Sequence, residues 1–101
     1  HAAEDSASVR ARVSRAWQVQ HDRAGVANAL LRGDTLAATC ELDDEGWSLL
    51  EAAADRFNLS ARAHQRILRV SRTIADLAAS KKIAPPHVAE ALSLRCLDRR
   101  S

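Results

Sequence analysis

The chain has 101 residues, 47% of them apolar, enough for one small domain with an aliphatic core, since the only aromatics are Trp17, Trp47 and Phe57. Fifteen basic residues against 13 acidic ones leave a formal net charge of +2, too balanced for a generic polyanion binder. No run approaches the roughly 18 apolar residues of a membrane span, and abundant helix formers with three glycines and two prolines predict an all-α fold.

The first helix is expected from about Ser8 to Ala24, capped by Ser6 or Ser8. Val9, Val13, Ala16, Trp17 and Gln20 form its apolar stripe, and Arg10, Arg12, Arg15 and Arg23 fall on its other sides. Gly25 ends the pattern. From Val26 to Glu41 the periodicity weakens. This stretch reads as a connector with one helical turn near Asn28 to Leu31, broken by Gly33 and Asp34 and anchored by Leu30, Leu31 and Leu36.

A second helix starts at Asp43 or Asp44, both good N-caps with Glu45 in the first turn. Trp47, Leu50, Ala54 and Phe57 supply its spacing, and Asn58 stops it. Ser60 caps a third helix, Ala61 to Ala79. Ile67, Val70, Ser71, Ile74, Leu77 and Ala78 share one broad face of it. Arg62, Arg66 and Arg69 lie opposite, with Arg72 at their edge and His64 at the margin of the apolar face. Pro85 and Pro86 suit the opening of a fourth helix, about Pro86 to Leu97.

The whole is expected to be one four-helix bundle spanning 8–98. Residues 1–7 read as a disordered or tag-derived N-terminus and 99–101 as a frayed tail. A start at His1 rather than methionine suggests a piece cut from a longer protein.

Familiar catalytic motifs are absent: there is no G-x-x-x-x-G-K-[ST] phosphate loop and no G-x-S-x-G elbow. His1, His21, His64 and His87 show no zinc spacing, so no metal ligand is assigned. His64 reads as a packed or partly exposed helix residue, and Asp43, Asp44 and Glu45 as a helix cap rather than a cation site. Cys40 and Cys96 form no CxxC; they could pair only if the fold brought them together, and otherwise read as free thiols in a reducing cytosol.

The arginines remain. Their excess over lysine suits planar recognition of phosphate or carboxylate, or equally reflects a GC-rich genome. On periodicity alone the row on the third helix is a solvated face. Arg62 differs, because it sits in the first turn just after a serine cap, where a guanidinium near the positive helix end suits phosphate.

Residues 59–78, LSARAHQRILRVSRTIADLA, resemble the C-terminal helical lid domain of the magnesium-chelatase-like AAA+ ATPases, nearest to the ComM/YifB branch. SVRARVSRAWQVQHDRAG is similar to the family helix that follows the ATPase core. NALLRGDTLAATCELDDEGWSLLEAAADRFNLSAR is similar to its connector and second helix, and IAPPHVAEALSLRCLDR to its closing segment. The likeness covers about residues 6 to 100. It departs where an aromatic residue and then histidine commonly follow the ARA: His64 and Gln65 stand here. Ser71 stands where alanine is usual.

The resemblance implies a lid that closes over nucleotide held by an upstream AAA+ core, within a ring, expected to be a hexamer. Its sensor-2 arginine, which reaches the γ-phosphate, falls by motif position on Arg62. Arg66 and Arg69 are weaker candidates for the nucleotide site or a subunit interface. ATP and Mg²⁺ are implied for the longer protein and neither for this chain alone, which is not expected to hydrolyse ATP. The branch further implies DNA remodelling, as in branch migration during natural transformation. Two alternatives stand beside it: the lid of a true magnesium chelatase, and a stand-alone helical DNA-binding module.

Overall fold

The computed structural model describes the backbone of residues 5–100 and the side chains of residues 5–95. Among the described residues five α-helices, one more than expected, follow one another: α1 Ser6–Ala24, α2 Gly33–Thr39, α3 Asp44–Phe57, α4 Ala61–Leu77 and α5 Pro85–Arg100. A 3₁₀ turn, Asn28–Leu30, lies between α1 and α2. The fold is all-α, and no strand forms among the described residues. One isolated parallel bridge pairs Leu42 with Ile83, tying the segment before α3 to the segment before α5.

The helix boundaries follow from capping. Asp5 accepts from Ser8 N at 2.7 Å, so α1 starts two residues before the expected Ser8 and takes in the end of the segment expected to be disordered. Residues 1–4 and Ser101 lie outside the described residues. Gly25 closes α1 at φ +76°. Asp43 accepts from Gly46 N at 2.7 Å and Ser60 from Ala63 N at 3.1 Å, as their positions predict. Asn58 ends α3 in the left-handed conformation. At α5 the cap is unusual: His87 Nδ1 accepts from Ala84 N at 2.8 Å, the third helical residue reaching back to the capping position. The helix runs on to Arg100, past the expected end at Leu97.

Two expectations need correction. Gly33 and Asp34 do not break a helix; they open α2, with Asp34 in its first turn. Gly33 takes φ +55° there, a conformation glycine adopts without strain. Leu30 is no anchor, being 61% exposed, whereas Leu31 and Leu36 are buried as expected.

Leu31, Leu36, Cys40, Leu42, Leu50, Ile67, Leu68, Ala75, Ile83, Val88 and Ala91 form one contiguous core. Each fully buried leucine or valine contributes about 1.5–3 kcal/mol of transfer free energy. α4 is the central element, packing on α5, α1 and the 3₁₀ turn. The expected stripe on α1 is only partly used: Ala16 and Gln20 are buried, while Val13 and Trp17 are 52% and 53% exposed.

Candidate functional site

α4 carries the candidate residues, and its orientation decides what each can do. Its buried side chains are Ile67, Leu68, Ser71, Arg72, Ala75 and Asp76. At about 100° per residue they make one continuous arc. That arc is turned from the expected face, so Val70, Ile74 and Leu77 lie at its flank, half-buried, and line an open groove, with Val70 and Ile74 also packing against the core.

Arg62 is exposed in the first turn of α4, directly after the Ser60 cap. Arg66, one turn on, is also exposed and lines the groove. Arg69 is half-buried and lines it too, with Nη1 donating a long 3.4 Å hydrogen bond to Leu31 O. Burial lowers the Arg69 pKa, and the neighbouring charge of Arg32 lowers it further. Arg66 and Arg69 thus share one wall, and Arg62 is not among the groove's lining residues.

Arg72 breaks with the expectation that it sits at the edge of a solvated row. It is buried, because its guanidinium has internal partners. Nη2 lies 3.0 Å from Asp76 Oδ1, one helical turn on, and donates to Ser80 O at 2.8 Å, while Nη1 donates to Lys81 O at 3.1 Å. The carbonyls are presented by the chain reversal after α4. There Ala79 N donates to Asp76 O and Ser80 N to Ala75 O, the paired bonds of a Schellman motif, with Ala79 left-handed at φ +58°.

Asp76 is the hub of a network whose members come from four places in the sequence. Its carboxylate also accepts from Arg23 Nη2 at 2.7 Å, Arg23 Nη1 at 3.1 Å and Asn28 Nδ2 at 2.8 Å. Asn28 N in turn donates to Gln20 Oε1 at 2.9 Å. Burial alone raises a carboxyl pKa. Here the Arg23 and Asn28 hydrogen bonds and the Arg72 charge outweigh it, and Asp76 sits below the ordinary 3.8. Sequence reasoning missed this cluster. The available signal was an i, i+4 arginine–aspartate pair on a helix with so many apolar positions.

His64 is half-buried, its ring 6.1 Å from that of Trp47 at 22°. Among the described residues no three His, Cys, Asp or Glu side chains gather as a metal site would require, and no helix is long and apolar enough to cross a membrane. Cys40 is a buried free thiol, its pKa pushed up to about 11 by burial. The Cys96 side chain lies outside the described residues.

Residues 3–95 match the sequence model of a family described as magnesium chelatase, subunit ChlI C-terminal. The chain belongs to this family. Among curated relatives, the competence protein ComM of Haemophilus influenzae is 45% identical over 96 residues. The YifB proteins of Escherichia coli and Salmonella typhimurium are 41% and 42% identical over 96 and 98 residues. Each comparison takes in 95% of this chain but 19% of the relative, so the chain spans about a fifth of the length of the relatives it matches. Family membership agrees with the all-α fold.

Proposed function

We propose that this domain is the helical lid of an AAA+ ATPase, and that Arg62 is its sensor arginine, donating to the γ-phosphate of ATP held by an upstream core with Mg²⁺. The observation that carries the reading is the placement of Arg62. It is exposed, it stands in the first turn of a capped helix, and that helix is fixed on three sides by core packing and the Asp76 network. A guanidinium so mounted can meet phosphate with bidentate geometry, its backbone already fixed by the helix. It would stabilise charge as the phosphoryl group transfers. The chain has no phosphate loop, so it serves catalysis without performing it.

The named relative supports a role in competence, and the reading extends to DNA remodelling by a cytosolic ring, a hexamer, in which Arg66 and Arg69 face a neighbouring protomer or the nucleotide. The family description favours a second reading, the lid of a magnesium chelatase. The two separate on one measurement: whether DNA or a porphyrin-binding partner stimulates ATP turnover in the longer protein.

The sensor role is tested by Arg62→Ala in the longer polypeptide, with ATP turnover measured in the presence of DNA. Turnover should fall by at least tenfold at saturating ATP. Unchanged kcat and unchanged apparent KM would sink it.

A further inference from the structure

The groove beside α4 joins an aliphatic floor to a concentration of positive charge. Its volume is about 500 Å³, and Val70, Ile74, Leu77 and Leu94 give it apolar lining. Leu94, on α5, is 42% exposed, a large apolar side chain left open to water. Arg66 and Arg69 stand on the α4 side.

A third guanidinium converges on the same place. Arg32 Nη1 donates to Leu31 O at 2.9 Å, the very carbonyl that receives Arg69 Nη1, and to Ala29 O at 3.3 Å. Ala29 itself lines the groove. Two like charges drawn to one neutral carbonyl oxygen repel each other, and the depressed Arg69 pKa includes that repulsion. Glu90 is the one carboxylate among the lining residues, which include Arg66 and Arg69, and Arg32 adjoins them through the shared Leu31 carbonyl. A further carboxylate bridging Arg32 and Arg69 would relieve the repulsion and gain charge-assisted hydrogen bonds.

We infer that this groove is a docking site for an acidic, aliphatic peptide segment of a protein partner, its carboxylate held between Arg32 and Arg69 and its aliphatic side chains seated on Val70, Ile74, Leu77 and Leu94. Nucleic acid fits less well. Phosphates would satisfy the arginines but leave the aliphatic floor against water, and no lining residue offers an aromatic face for a base to stack on. The arrangement, an apolar centre with arginine at its rim, is that of a protein-recognition surface. Arg62 takes no part, so this site is separable from the proposed sensor role.

The test is selection of a random 12-residue peptide library on the 101-residue chain, followed by affinity measurement on the enriched peptides. Enriched sequences should combine Asp or Glu with Leu, Ile or Val. Their binding should weaken at least tenfold in Arg32→Gln/Arg69→Gln and, independently, in Leu94→Glu, whose exposed position leaves the core untouched. Helix content of each variant is checked by circular dichroism. Methyl chemical-shift changes should map to Ile74, Leu77 and Leu94. No enrichment, enrichment of sequences without carboxylates, or equal binding to both variants overturns the proposal. So does a single-stranded oligonucleotide that binds the chain through Arg32 and Arg69 while ignoring Leu94→Glu.

Discussion

Arg23 grips Asp76 with both guanidinium ends, Nη2 to Oδ1 at 2.7 Å and Nη1 to Oδ2 at 3.1 Å, joining α1 to α4 across 53 positions of sequence. Arg72 approaches the same carboxylate from within α4. One buried anion therefore balances two cations, and its loss leaves Arg72 as a buried charge with only carbonyl partners.

Asp76→Asn should therefore destabilise the chain by about 3 kcal/mol near neutral pH, read as a lower urea midpoint with unchanged slope. The pH dependence fixes the mechanism. The folded pKa of Asp76 is lowered from 3.8, so its contribution is full above the unfolded value and disappears as pH falls through the folded value. The gap between wild type and variant should shrink steadily below about pH 4. A gap of constant size from pH 6 to pH 2.5 would refute the ion-pair account.

Ala79 points to a gain. Its φ of +58° is one that alanine adopts at a cost, and glycine does not. Ala79→Gly should raise stability by up to about 1 kcal/mol, a rise in Tm of several degrees. A lower Tm would mean that the methyl group makes contacts worth more than the backbone strain.

Loss of the Ser60 hydroxyl removes the acceptor for Ala63 N. Ser60→Ala should cost about 1 kcal/mol, and Ser60→Asp should restore most of it. Hydrogen exchange offers a local readout: amides in the first turn of α4 should exchange faster in the alanine variant, with those around Ala75 unaffected. If exchange quickens uniformly, the cap is not acting locally.

Cys40 should resist alkylation. With its pKa raised to about 11, almost no thiolate is present at pH 8, and the sulfur is buried. Iodoacetamide followed by peptide mass spectrometry should show Cys40 unmodified in native chain and labelled within minutes in urea. Rapid native labelling would place the thiol in a far more open environment.

Local chemistry was the legible part of the sequence. Asp43, Ser60 and Asn58 each act where their side chains and positions predict, because a cap depends on a few neighbouring atoms. α2 was hidden because Gly33 and Asp34 carry two meanings, helix breaker and helix opener, and only burial of Leu36 chooses between them. Exposure of Trp17 and Leu30 was hidden for a related reason: periodicity says which residues share a face, not whether another element covers it. Arg72 shows the strongest override. Its partners include the carbonyls of Ser80 and Lys81, whose direction is set by a chain reversal that hydropathy does not encode. Among the candidate site residues, the exposed position of Arg62 after its cap was readable, while the company Arg69 keeps with Arg32 needed the fold.

The Arg23–Asp76 grip also has a mechanical side. It clamps α1 near one end, so the helix behaves as a boom fixed at its base to α4. Nineteen residues at about 1.5 Å each give a reach of roughly 28 Å. A tilt of α4 by about 10° would sweep the far tip of α1 through roughly 5 Å on that length. A small rotation of the helix that carries Arg62 would thereby be amplified at the far tip of α1.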